Sequence, residues 1–165
     1  MKILLYAPEY RPNLSNMIRT AEFYGFKKIY IYDKNGLMNP PSNKVTRAEM
    51  NHMARVWTAG AIEHIDIVVV SDPLKFIREH KGKTIATVVT KKAESIHDFS
   101  FESEDILIMG PEKEGLPEDI IQISSNKLII PHIGITDCLN VSVTLGVVIN
   151  EAMRQLGFRL NQAEE

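Results

Sequence analysis

The stretch ITDCLNVSVTLGVVINEAMRQ, residues 135–155, changes character at Val143. From there Leu145, Val148, Ile149, Ala152 and Met153 recur at helical spacing, the pattern of a helix with one buried face. The residues before it, Thr136, Asp137, Cys138, Asn140 and Ser142, crowd polar groups against the mouth of that helix. A buried polar group without a partner costs about 1–3 kcal/mol, so Asn140, set between Leu139 and Val141, needs one. That partner is either a backbone turn or a ligand. The apolar run KLIIP (127–131) reads as a strand directly upstream. A polar segment between a strand end and a helix start is where open α/β sheets hold ligands.

Outward from this stretch the chain alternates. KILLYA (2–7) is strand-like, and the PEYRPN loop follows. Asn13 or Ser15 then caps a helix to about Tyr24, with Met17, Ile18, Ala21 and Phe23 inward and Gly25 ending it. KKIYIYD (27–33) alternates as a strand, KNGLMNPPSNK (34–44) is a loop, and VTRAEMNHMARVW (45–57) is helical. IDIVVV (65–70) reads as a buried strand, and DPLKFIREHKG (72–82) as a helix capped by Asp72 and stopped at Gly82. TIATVVT (84–90) and DILIMG (105–110) are strands joined by a polar connection, and DIIQIS (119–124) is a short helix or turn. Strands alternating with helices predict an α/β fold with a mainly parallel sheet and helices on both faces. At 165 residues the chain suits one domain over 1–158, with 159–165 as a frayed tail.

Hydrophobic content is 44% and charged content 24%, and no apolar run is long enough to span a membrane. The start MKILLYAPEY reads as a first strand, not a signal peptide. A single cysteine, Cys138, allows no intrachain disulfide, which agrees with a cytoplasmic protein. Net charge is −2, but residues 1–60 carry nine Lys/Arg against four Asp/Glu, a balance of +5, and the remainder balances at −7. A basic N-terminal third suits phosphates, with Arg11, Arg19, Lys44 and Arg47 as candidate RNA contacts; chance asymmetry is the plain alternative. There is no GxGxxG after the first strand, no GxxxxGK[ST] and no GxSxG. The five histidines are scattered, so no metal site is expected, and His132 reads as a loop residue without a catalytic role.

Three segments stand at strand ends. In PNLSNMIRTAEFYGF (12–26), Asn13 and Arg19 are six residues apart; Arg19 is either a solvated surface arginine or a fork for phosphate or carboxylate. In IMGPEKEGLPEDI (108–120), Gly110 and Gly115 leave room for a ligand to approach the backbone closely. The third is IIPHIGITDCLNVS (129–142).

Together these segments resemble the three motifs of the SpoU/TrmH family of the SPOUT superfamily, RNA ribose 2′-O-methyltransferases. Asn13, Asn16, Arg19, Thr20 and Ala21, then Tyr24, Gly25 and Phe26, match the first motif. Gly110, Glu112, Gly115 and Leu116 match the second. Ile130, Pro131, Gly134, Leu139, Asn140, Val141 and Ser142 match the third, and Glu151 stands as the inward glutamate of the helix after it. Two positions depart: Ser15 replaces the usual glycine and Cys138 the usual serine, and a thiol is a much weaker donor than a hydroxyl. The GPE…GLP pattern and minimal length look most like the TrmL-type enzymes, which methylate the wobble nucleotide of tRNA.

The resemblance implies an α/β fold with a C-terminal trefoil knot and a homodimer with active sites at the interface. It implies S-adenosyl-L-methionine (SAM) as cofactor, bordered by Val88, Gly110, Ile130, Cys138 and Leu139. Asn13, Arg19, Glu112 and Asn140 fall on its catalytic positions. It implies RNA, tRNA ahead of rRNA, and not DNA, as substrate, since the 2′-hydroxyl is what separates them. A guanidinium has a pKa above about 12, so Arg19 is expected to hold the adjacent phosphate and the developing alkoxide, with Glu112 and Asn140 orienting Arg19 or substrate. The alternatives are an rRNA 2′-O-methyltransferase, a non-catalytic SAM- or RNA-binding module, and a base-methylating enzyme with Asp137 as general base.

Overall fold

The computed structural model describes residues 1–40 and 45–157. Lys44 and the tail 159–165 therefore lie outside the described residues. The elements run β1 (Lys2–Tyr6), α1 (Arg11–Phe23), β2 (Lys28–Tyr32), α2 (Arg47–Trp57), β3 (Asp66–Val69), α3 (Pro73–Arg78) and β4 (Thr84–Thr87). They continue with β5 (Glu94–Ser95), β6 (Ile106–Met109), α4 (Glu118–Ile123), β7 (Asn126–Ile129) and α5 (Val141–Leu156). The strands form a seven-stranded sheet in the order β3-β2-β1-β6-β4-β7-β5, and every pairing is parallel. The expected α/β class, parallel sheet and two helical layers are all present.

Alternation along β1 separates the two cores. Ile3 and Leu5 face one layer, with Met17, Ile18 and Ala21 of α1 and Leu145, Val148, Ile149 and Ala152 of α5. Leu4 faces the other, with Ile77 of α3 and Ile120 of α4. Helices α1 and α5 lie side by side and run the same way. Asn140 bonds Asn13 near their starts, and the Tyr24 hydroxyl donates to Asn150 Oδ1 at 3.1 Å farther along.

Contiguity of β1, β6, β4 and β7 has one consequence for function. Because all four are parallel, the loops leaving their C-terminal ends stand next to one another on one edge of the sheet. These loops carry the three motifs and the segment after β4.

Several local expectations are corrected. Helix α1 starts at Arg11 with Tyr10 as N-cap, not at Asn13 or Ser15, and Pro12 sits in its first turn, where a missing N–H costs nothing. Phe23 faces solvent at 80% exposure instead of the core, because the α1 face that includes it is not the one against the sheet. The IDIVVV run is an edge strand: β3 has one neighbour, and Val69 is 60% exposed. Helix α3 stops at Arg78, before Gly82. The two-residue strand β5 lies inside what reads as a polar connection. Among the described residues no helix is long and apolar enough to cross a membrane.

The end of α5 is tied down by a carboxylate. Glu151, with its side chain 17% exposed, accepts from Arg154 Nε and Nη2 at 2.8 and 2.7 Å and from Gln155 Nε2 at 2.8 Å. Gln155 in turn donates to Phe99 O and accepts from Phe101 N, both at 2.9 Å. The Arg154 bonds first, then that from Gln155, lower the Glu151 carboxyl from 4.5 to about 2. A depressed folded-state value stabilises the fold above the unfolded pKa, and that stability is lost as pH falls toward the folded value. Thermal melts from pH 5 down to pH 2.5 are therefore expected to show a steeper loss of Tm in the wild type than in Glu151→Gln.

Candidate active site

The chain leaves β1 through Ala7, whose φ of 49° is left-handed and rare for a residue with a Cβ. Asn35 holds it there: its Nδ2 donates to Ala7 O at 3.1 Å and Pro8 O at 2.9 Å. The loop then enters α1, whose first turn contains no acid and whose N-cap Tyr10 offers no side-chain acceptor. Orphan N–H groups at a helix start favour a negative partner. Glu112, from the loop after β6, supplies it. Its carboxylate accepts from Glu9 N at 2.8 Å, Tyr10 N at 3.2 Å and Asn13 Nδ2 at 2.9 Å. Glu9 returns the contact by accepting from Lys113 N at 3.1 Å. Two loops a hundred residues apart in sequence are thus clasped through each other's carboxylates.

The third loop joins through Asn13. Asn140 Nδ2 donates to Asn13 Oδ1 at 3.1 Å, while Asn140 Oδ1 accepts from Ser142 N at 2.8 Å and Ser142 Oγ at 2.7 Å. Asn140 is therefore the N-cap of α5, and of the polar residues before that helix Asn140 and Ser142 find their partners in this turn. The result is a relay, Glu112–Asn13–Asn140, in which Asn13 spends its amide on both neighbours. Glu112 and Asn140 both hold Asn13, and neither bonds Arg19 directly; of the expected partners, Arg19 or substrate, only the direct contact with Arg19 is missing among the described residues. Arg19 lies exposed on α1, with no hydrogen bond or ion pair among the described residues.

Beside the relay opens a cleft of about 840 Å³. It brings together all five residues expected to border a cofactor: Val88, Gly110, Ile130, Cys138 and Leu139. Glu112 also lines it, whereas Asn13, Arg19 and Asn140 do not. The wall is apolar at Val88, Ile130, Leu139 and Val141, with Glu112, Glu114 and Glu118 among the polar lining. An apolar wall suits a purine, and carboxylates suit a cation such as a sulfonium or an α-ammonium group. These residues fit SAM. Every residue from Pro131 to Asn140 is exposed, Ile133 and Ile135 fully.

Of the other candidate RNA contacts, Arg11 donates to Asn39 O at 2.9 Å and Arg47 to Met38 O at 3.0 Å. Both brace the loop after β2, whose start is held by Asp33 accepting from Leu37 N and Met38 N. Glu9 and Asn35 are the residues a reading of the sequence passes over. Asn35 carries no signal beyond being a loop asparagine, and Glu9 none beyond preceding a helix. Among the described residues no group of three or more His, Cys, Asp or Glu is placed to hold a metal ion.

The model of the SpoU rRNA methylase family matches residues 1–150. The chain is 27% identical over 146 residues to the tRNA (guanosine(18)-2′-O)-methyltransferase of Aquifex aeolicus, covering 87% of this chain and 64% of that protein, less than two thirds of its length. It is 29% identical over 160 residues to the tRNA (cytidine(34)-2′-O)-methyltransferase of Escherichia coli K12, covering 96% of this chain and 95% of that one. A solved structure bearing on the 2-OH methylation of C/U34 on tRNA superposes with a TM-score of 0.74 at 28% identity, over 94% of this chain and 95% of that one.

Proposed function

The chain belongs to the SpoU rRNA methylase family, and from that premise we propose that it transfers a methyl group from SAM to a ribose 2′-hydroxyl of tRNA, at the wobble nucleotide. The observation that carries this reading is the Glu112–Asn13–Asn140 relay set on the rim of a cleft lined by Val88, Gly110, Ile130, Cys138 and Leu139. The match to the Escherichia coli relative over nearly the full length of both chains supports the substrate class.

Bound in the cleft, SAM supplies an activated methyl group. The protein's part is alignment and charge stabilisation. Arg19 stays protonated and presents a fork of donors. It holds the phosphate beside the target ribose and stabilises the alkoxide that develops on the 2′-oxygen. Glu112 and Asn140 act through Asn13, fixing the start of α1 and so the placing of Arg19 two turns on. Cys138 contributes through its backbone and its volume.

The same proposal includes a homodimer, a C-terminal segment threaded as a trefoil knot, and a cytoplasmic location. The dimer is supported by an apolar stripe. Phe23 on α1 and Val143 and Val147 on α5 are exposed on two helices that lie side by side, with Ile133 and Ile135 bare in the loop before α5. Arg19 lies four residues before Phe23, so a second copy seated on this stripe closes over it. Val147→Asp is expected to give a monomer by sedimentation velocity, with methyl transfer lost and melting temperature lowered by the loss of the partner copy. An intact dimer would refute that interface.

The reading is tested by incubating the protein with isotopically labelled SAM and separated tRNA and rRNA fractions from cells lacking ribose methylation. Label in the tRNA fraction is expected. Label confined to rRNA would turn the reading to the rRNA enzyme.

A further inference from the structure

Three exposed aromatic rings stand on the described surface: Tyr10, Phe23 and Trp57. Phe23 belongs to the stripe assigned above to a second copy, and Trp57 closes α2 away from the cleft. Tyr10 is different. It is 45% exposed, yet its backbone N–H is held by Glu112, a residue that lines the cleft. The ammonium of Lys113, a second lining residue, lies 5.6 Å from the centroid of its ring. The next residue, Arg11, is anchored to Asn39 O, and the turn before it is fixed by Asn35 on Ala7 and Pro8. Tyr10 itself does not line the cleft. Its backbone is anchored directly to Glu112 of the relay, and its ring stands outside the cleft with the Lys113 ammonium over one face.

An open aromatic face stacks any nucleobase, and a neighbouring cation takes the attached phosphate. Such pairs recognise bases splayed out of an RNA loop. The cleft is assigned to SAM and the target ribose to its mouth, and the ring, set outside the cleft, is assigned to the next nucleotide of the strand. Both signs of charge stand by the ring, the Lys113 ammonium over it and the Glu9 and Glu114 carboxylates near that ammonium, so Lys113 is the group that meets a phosphate. We infer that Tyr10 and Lys113 form a stacking platform for the unpaired nucleotide flanking the methylated ribose, the ring taking the base and the ammonium its phosphate. This rests on the RNA-methylating function proposed above, and it adds a residue pair that sets which RNA loops are accepted.

The test uses the full chain with unmodified tRNA transcripts. Tyr10→Ala is expected to raise KM for RNA on the order of ten-fold, the effect of losing one stacked base. Its KM for SAM and its kcat should stay within about two-fold, the signature of lost substrate binding alone. Tyr10→Phe, which keeps the ring, should restore the KM for RNA, and Lys113→Gln should weaken its salt dependence. In a Trp57→Phe background, Tyr10→Trp should show indole quenching when short single-stranded RNA is added. If the wild type methylates RNA and Tyr10→Ala has an unchanged KM for it, the platform is wrong and the function stands. A Tyr10→Ala change in SAM affinity or in sedimentation also overturns the platform, because the ring would then be structural or an interface residue. If the wild type binds SAM but neither binds nor methylates RNA, the proposed function falls and the platform with it.

Discussion

Replacing Arg19 by alanine is expected to lower single-turnover methyl transfer by about 10²–10³-fold, the range for removing one preorganised donor from a developing oxyanion. The melting temperature should hardly move. Arg19 is exposed and makes no bond among the described residues, and exposed substitutions of this kind usually change stability by less than about 0.5 kcal/mol. Arg19→Lys keeps the charge and loses the planar fork. It should recover only part of the rate, about ten-fold or more below wild type if bidentate contact matters. Near-normal turnover in the lysine variant would show that a point charge suffices. A large fall in melting temperature in the alanine variant would place Arg19 in the scaffold instead.

Gly110→Ala is expected to abolish SAM binding and to destabilise the fold together. A Cβ at this position would lie 2.7 Å from Leu116 N and 3.0 Å from Gly115 C. Both are backbone atoms of the same turn, so relief requires the 110–116 loop to open. Forced overpacking of this kind costs about 1–3 kcal/mol. That loop also delivers Glu112 to its three donors at the start of α1. Its displacement therefore removes the helix's acidic partner and one wall of the cleft at once. Calorimetry with SAM and a thermal melt on the same preparation check both effects. Normal SAM affinity in Gly110→Ala would mean that the cofactor sits elsewhere.

The elements were legible where local pattern and burial agree. The apolar runs of β1, β6 and β7 and the spacing of Leu145, Val148, Ile149 and Ala152 in α5 needed no tertiary knowledge. The start of α1 was not legible, because its acidic partner is Glu112, about a hundred residues downstream. Ser15 and Asn13 are good capping residues with nothing local to disqualify them. IDIVVV reads as buried because an apolar run does not reveal whether a strand has one neighbour or two. The site was legible as three motifs but not as a geometry. Nothing in the sequence states that Asn13 is the joint between Glu112 and Asn140, or that Arg11 and Arg47 brace the loop after β2.

Nucleoside mass spectrometry of RNA methylated in vitro by the purified protein with labelled SAM tests the central claim most directly. The account predicts label in a 2′-O-methylated nucleoside, traced to the wobble position of tRNA, and its disappearance in Arg19→Ala. Label on a base, or none at all in protein shown to bind SAM, would contradict it.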